Sequence, residues 1–262
     1  ADRVTNDADL KLSLLVDELA RICADASREA TDDRDERNRR KTLVFTYFTD
    51  TLDWIMERLE TAVETVAAAS TAPVTGVAAD ISTHEGIEEL FAVVETERGS
   101  IDHLITNAGA PPRRRFDAAG DAEWQAAYDL LVMSAVRAIR AARPLFSPAG
   151  GSITMITSRH TKEATPGNIL SSVVRVGLEG LRQSLSRELA PQIRVNSVRP
   201  GPFTTARNPP ETHAAKAADI PMGELGAPGD LGTLIAYLSS PHAAYLTGAS
   251  IPIDGGAGHS TL

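Results

Sequence analysis

The chain has 262 residues, 42% of them hydrophobic, with a formal net charge of −9 and one cysteine. That length suits one large α/β domain, or one domain with an extension, and is enough to bury a substantial core. The acidic balance excludes a general nucleic-acid-binding surface, and Cys23 standing alone excludes an internal disulfide or a cysteine-cluster metal site.

Residues 8–30 place Leu12, Leu15, Val16, Leu19 and Ile22 at helical spacing, an amphipathic helix that needs a surface to pack on. The run TDDRDERNRR, 31–40, is a solvated hinge or helix end of mixed charge. KTLVFTYF, 41–48, reads as a buried strand. TLDWIMERLETAVE reads as a helix with Leu52, Ile55, Met56 and Leu59 on one face. Short strands are expected at TVAAAS, 65–70, and VTGVAAD, 74–80, then a helix over THEGIEELFAVVETERG and a strand and turn at HLITNAG. A long helix at 122–146, a strand at 151–158, a helix at 171–190, a strand at 193–201, a helix at 230–240 and a last strand at 248–256 complete the series. This alternation predicts an α/β, Rossmann-like doubly wound parallel sheet in three layers with an N-terminal helical extension. The division is an amphipathic helix and charged hinge over 1–40 and the sheet domain over 41–262. No apolar run reaches bilayer-spanning length. The opening ADRVTNDADL has neither the basic start nor the apolar stretch of a signal peptide, so a cytoplasmic protein is expected.

Four motifs carry a family resemblance from about residue 64 to 257: ITNAG at 105–109, GSITMITS at 151–158, IRVNSVRPGPFTT at 193–205 and YLTGASIPIDGG at 245–256. In that order and spacing they resemble the short-chain dehydrogenase/reductase family. The resemblance implies hydride transfer between NAD or NADP and a small carbonyl or alcohol substrate. It also implies a homo-oligomer formed through the long helices, with no nucleic-acid or membrane partner and no metal.

In that family a tyrosine is the general acid/base, a lysine four residues later tunes it and holds the ribose, a serine binds the substrate oxygen, and a helix asparagine completes a proton relay. The serine falls on Ser158. The tyrosine position falls on Ser171, the lysine position on Arg175 and the asparagine position on Leu131. A phenol of pKa about 10 can be moved toward neutrality by a nearby cation. An aliphatic hydroxyl is a far weaker acid, and guanidinium is not interchangeable with ammonium. Losing general acid/base assistance costs about 10²–10⁴ in rate, so little or no turnover is expected unless another group supplies the proton. Tyr128, Lys162 and His160 are the nearest candidates. Ordinary roles are expected for each: core packing for Tyr128, surface for Lys162 and a solvent-facing loop for His160.

The family's cofactor contacts map to Asp80 with Ile81, to Asn107, Ala108 and Gly109, and to Pro200, Gly201 and Thr205. Its glycine-rich phosphate loop does not map: FTYFTDTLDW, 45–54, has no glycine, and no glycine precedes Gly76. Tyr47 and Phe48 would fill phosphate space, and Asp50 and Asp53 would repel a dinucleotide. NAD or NADP is therefore expected by resemblance, with the possibility that none binds. RKTLVFTYFTDTLDWIMERL, with the helix before it, resembles the second motor lobe of chromatin-remodelling-type helicases over about 8–62, which raises the reading of a chimera joined near 60–70. No other motif of that motor is present. Two alternatives stand beside the oxidoreductase: an inactive scaffold or partner subunit, and a halohydrin-dehalogenase-like lyase, against which Ser171 counts because epoxide closure needs a tyrosine base.

Overall fold

Five of the apolar runs form strands, each paired in parallel with the next. The computed structural model describes residues 42–44 (as backbone), 64, 74–205 and 208–260. The sheet order is β1 (Thr42–Val44), β2 (His103–Asn107), β3 (Gly151–Ile156), β4 (Ile193–Pro200) and β5 (Ser250–Ile253). Parallel strands bury both faces and so read as near-continuous apolar runs, and Ser152 to Ile156 of β3 are all buried. In-register pairs such as Leu104 with Ile153 and Ile153 with Val195 stack the core across the sheet.

Successive strand side chains point to opposite faces. Leu104, Ile153, Met155 and Val195 face α1 (His84–Arg98), the long helix of residues 121–142, and the helix Ile169–Glu188. Ile105 and Ile156 face the other way, onto Ile235 of the helix Pro228–Ser239. Three layers result, as the alternation predicts. Helix α1 begins where Thr83 Oγ1 accepts from the Gly86 N–H at 3.0 Å, and it ends at Gly99, whose φ of 68° is left-handed.

The long helix is not uniform. It runs as α2 (Asp121–Tyr128), a wider π turn (Asp129–Met133) and α3 (Ser134–Ala142). The turn seats Leu131, 1% exposed, against α4 (Ile169–Glu188). The remaining helices are α5 (His213–Ala217) and α6 (Pro228–Ser239).

One predicted strand is absent: residues 74–80 form no ladder. A strand exists only beside a hydrogen-bonded neighbour, and among the described residues β1 pairs with β2 alone. The expected helix of 8–30, the hinge of 31–40, the helix after β1 and the strand at 65–70 lie outside the described residues.

Candidate functional site

In a parallel sheet all strands end on one edge, and loops there converge on a common crevice. Ser158 lies two residues past β3. It caps a short 3₁₀ turn, Arg159–Thr161, its Oγ accepting from the His160 N–H at 3.2 Å. Accepting there leaves the Ser158 O–H free to act as a donor.

Ser171 and Arg175 stand one turn apart on α4. Arg175 is 6% exposed. Its Nε donates to Ser171 Oγ at 3.2 Å, Nη1 to the Thr157 carbonyl at 3.3 Å, and Nη2 to the carbonyls of Ala108 at 3.4 Å and Gly109 at 2.8 Å. The planar five-donor fork of guanidinium suits three carbonyls in a way that an ammonium does not. It joins the turn after β2, the end of β3 and α4. Ser171 accepts from Arg175, so its own hydrogen is left to donate. The crevice therefore offers two hydroxyl donors, and neither is an acid of useful strength near neutrality.

One turn further, Glu179 accepts from Thr157 Oγ1 at 2.8 Å, Ser197 Oγ at 2.9 Å and Arg182 Nε at 3.0 Å. Burial pushes this carboxyl up, but the hydrogen bonds from Thr157, Ser197 and Arg182 hold the group below its ordinary range. Arg182 also donates to the Gly248 carbonyl. Glu179 thus ties α4 to β4 and to the residue after β3. The sequence reading missed it, although the signal was present: Ser171, Arg175, Glu179, Arg182 and Ser186 recur at helical spacing where an apolar stripe would ordinarily face the sheet.

Ile81, Asn107, Ala108, Leu131 and Arg175 line one small cavity of about 10 Å³. The asparagine-relay position therefore does face this site, but Leu131 brings it no polar group. Asp80 is exposed, and its Oδ1 accepts from the N–H and Oγ of Ser82 at 2.9 and 2.7 Å. Gly86 holds this loop close, since a Cβ there would lie 2.2 Å from the Asp80 carbonyl oxygen. Gly86→Ala is therefore expected to displace Asp80 and to destabilise the fold by about 1–3 kcal/mol; urea denaturation checks it.

Pro200, Gly201 and Thr205 follow one another out of the end of β4, with Gly201 held to β5 and Thr204 to the turn before α6. Gly201 N–H donates to Ile253 O at 2.9 Å, and Thr204 N–H to Gly226 O at 3.0 Å. A Cβ on Gly201 would meet Asp254 Cβ at 2.5 Å, so this backbone contact requires glycine.

Two expectations are corrected. Tyr128 is 45% exposed and is not a core residue, because the π turn that follows it directs Leu131, not the phenol, inward. His160 is half-buried, not a solvent-facing loop residue, because its Nδ1 lies 3.3 Å from Glu163 O and 3.2 Å from Thr165 Oγ1. Burial lowers its pKa, the Glu163 carbonyl raises it, and the charges of Arg159, Arg175 and Arg113 lower it again, for a net decrease. Lys162 is exposed, as expected. Tyr47, Phe48, Asp50, Asp53 and Cys23 lie outside the described residues.

Beyond Ser158 opens a cleft of about 670 Å³, lined by residues of 159–165 with Asp219, Ala257, His259 and Ser260. Among the described residues no cluster of metal-ligating side chains occurs, and no helix is long and apolar enough to cross a membrane.

A family profile described as enoyl-(acyl carrier protein) reductase matches residues 42–258. The chain is 29% identical over 187 residues to a 3-oxoacyl-(acyl-carrier-protein) reductase of Vibrio cholerae, covering 69% of this chain and 76% of the relative. It is 32% identical over 188 residues to 3beta-hydroxysteroid dehydrogenase 1 of Eggerthella lenta, covering 69% of this chain and 72% of the relative. Its fold matches a short-chain dehydrogenase/reductase from Serratia marcescens with a TM-score of 0.78 at 24% identity, covering 97% and 95% of the two chains. L-sorbose reductase from Gluconobacter frateurii, solved with NADPH and L-sorbose, matches with a TM-score of 0.75 at 25% identity over 84% of this chain and 87% of its own. The profile begins at residue 42, so it takes in the strand and helix that resembled a helicase lobe.

Proposed function

Since this chain belongs to the short-chain dehydrogenase/reductase family, we propose that it is an NAD(P)-dependent oxidoreductase acting on a small carbonyl or alcohol, with proton transfer as its impaired step. The supporting observation is the contact set of Arg175, which gathers Ser171, the β3 end that carries Ser158, and the Ala108–Gly109 turn.

The described residues fit a dinucleotide in part. Asp80 and Ile81 would meet its adenine, and Asn107, Ala108 and Gly109 its ribose. Pro200, Gly201 and Thr205 would cover its nicotinamide. When bound, that group supplies or accepts the hydride. Ser158 and Ser171 would hold the substrate oxygen by donated hydrogen bonds and polarise it. Arg175 would contribute positive potential while its guanidinium donates to carbonyls and to Ser171. No group in this set is an acid matched to neutral pH, which is the physical basis of the expected low turnover.

The outer faces of α2 and α4 expose Tyr128, Val173 (56%) and Val176 (50%). A second copy of the chain docked there would bury them, and a homo-oligomer is part of this reading. Residues 42–62, which the family profile covers, are assigned to the family's own sequence and not to a helicase lobe.

Calorimetric titration with NADH and NADPH tests the proposal. Binding tighter than roughly millimolar, about −4 kcal/mol, is the expected result. No heat with either nucleotide, in a sample that unfolds cooperatively, overturns it in favour of a scaffold.

A further inference from the structure

Residues 74–80 lead into the turn of Asp80, Ile81 and Ser82 without forming a ladder. Side chains therefore set where this segment lies. At its start, Thr75 Oγ1 donates to Glu97 Oε2 at 2.5 Å and accepts from Arg98 Nη2 at 2.9 Å, both of α1. At the turn, the Thr83 N–H and Oγ1 donate to the Asp80 carbonyl at 3.1 and 2.9 Å, which ties the backbone to the first turn of α1. A further tie comes from α3, where Arg137 Nη1 donates to the Ser82 carbonyl.

Ser82 is the residue that fixes the Asp80 carboxylate, since its N–H and Oγ both donate to Asp80 Oδ1. Arg137 is itself held from behind. Its Nη2 lies 3.4 Å from Asp129 Oδ1, and Asp129 Oδ2 accepts from Gln125 Nε2 at 2.8 Å. The side chains of Arg137 and Asp129 are 20% and 30% exposed, so the pair is partly shielded from water. A chain of contacts thus runs from α2 through Asp129, at the head of the π turn, to Arg137, Ser82 and Asp80. Ile81 packs in the same core as Leu131 of that π turn, and the two line one small cavity with Ser134 and Ala138.

On the reading of this chain as an NAD(P)-dependent oxidoreductase, we propose that Arg137 is a positioning residue for the adenine end of the dinucleotide. It touches no part of the ligand. It holds the Ser82 carbonyl, Ser82 holds Asp80, and the turn that would meet the adenine is set against α3 by a guanidinium in place of a ladder. A binding group locked from behind loses less freedom when the ligand arrives. Among the described residues, the hydrogen bonds of Arg137 go to Ser82 and Asp129. Its effect therefore falls on one end of the ligand and not on the end that would lie beside Ser158.

The test is saturation-transfer NMR of NADH and NADPH with the full chain, which reads the adenine and nicotinamide protons of one molecule separately. Arg137→Met keeps the aliphatic stem and removes the guanidinium. It is expected to weaken nucleotide binding about tenfold, as the loss of a charged hydrogen bond does, with the adenine signals falling relative to the nicotinamide signals. Arg137→Lys can still donate to the Ser82 carbonyl and should recover part of both. If Arg137→Met does not unfold cooperatively, Asp129→Ala decides. It frees the guanidinium from behind and should lower the adenine signals in the same sense by a smaller factor; no change in it overturns the inference. Unchanged binding in Arg137→Met, or an equal loss at both ends of the nucleotide, overturns the inference and leaves the oxidoreductase reading standing. A wild-type chain that binds neither nucleotide overturns that reading, and this inference with it.

Discussion

Ser171→Tyr combined with Arg175→Lys is expected to raise the rate of NAD(P)H-dependent carbonyl reduction by about 10²–10⁴-fold. The gain comes from one change in chemistry. At present Ser171 Oγ accepts from Arg175 Nε at 3.2 Å, and its aliphatic hydroxyl cannot give up a proton at neutral pH. A phenol at that position has an ordinary pKa of about 10, and a cation one turn away lowers it. Lysine is required alongside because its compact ammonium, unlike the guanidinium now fixed on Thr157, Ala108 and Gly109, can reach both phenol and ribose. The lysine leaves some of those carbonyls with fewer donors, so a modest loss of stability should accompany the gain. Steady-state kinetics over a carbonyl panel, with the pH profile, check this. An acidic group newly visible in kcat is the expected signature. No gain in a variant that still binds NADH would show that proton transfer is not the deficit.

Glu179→Ala should be the most destabilising single substitution at this site, by about 3 kcal/mol. The deletion strips Arg182, whose side chain is 10% exposed, of its ion pair, and it leaves Ser197 without its acceptor, while Thr157 keeps the Val198 carbonyl at 3.2 Å. Removing one partner of a buried pair costs more than the pair contributes, because the remaining charge stays desolvated. Glu179→Gln keeps an acceptor and should lose less. Urea denaturation measures both. The pH dependence has a definite sign. The folded carboxyl lies below its ordinary value of 4.5, so its stabilisation is complete above that value and is lost as pH falls through the lower, folded value. In Glu179→Gln the corresponding acid limb of the stability curve should be shallower.

Much of this architecture could be read from residue order alone. Helix α1 formed within one residue of its expected ends because Thr83 and Gly99 mark them locally. The runs in β2 and β3 were legible because strands buried on both faces read as largely apolar runs. The run at 74–80 has a similar composition yet forms no ladder, because pairing depends on a neighbour that local sequence does not contain. Spacing put Ser158, Ser171, Arg175 and Leu131 near one another; in the fold Arg175 bonds Ser171 and the Thr157 carbonyl and lines one cavity with Leu131.

The sequence by itself determined the alternation of strands and helices, the identities at the proton-transfer positions and the net acidity, since these are properties of residues taken in order. Only tertiary structure decided what the charged residues do. Guanidinium, carboxylate and imidazole act through distance and desolvation, and both are set by which loops meet. Thus Arg175 closes on three carbonyls from two strand ends. Glu179 joins α4 to β4 and to the residue after β3, and His160 is drawn in beside Arg113 and Arg175, which lie far from it along the chain.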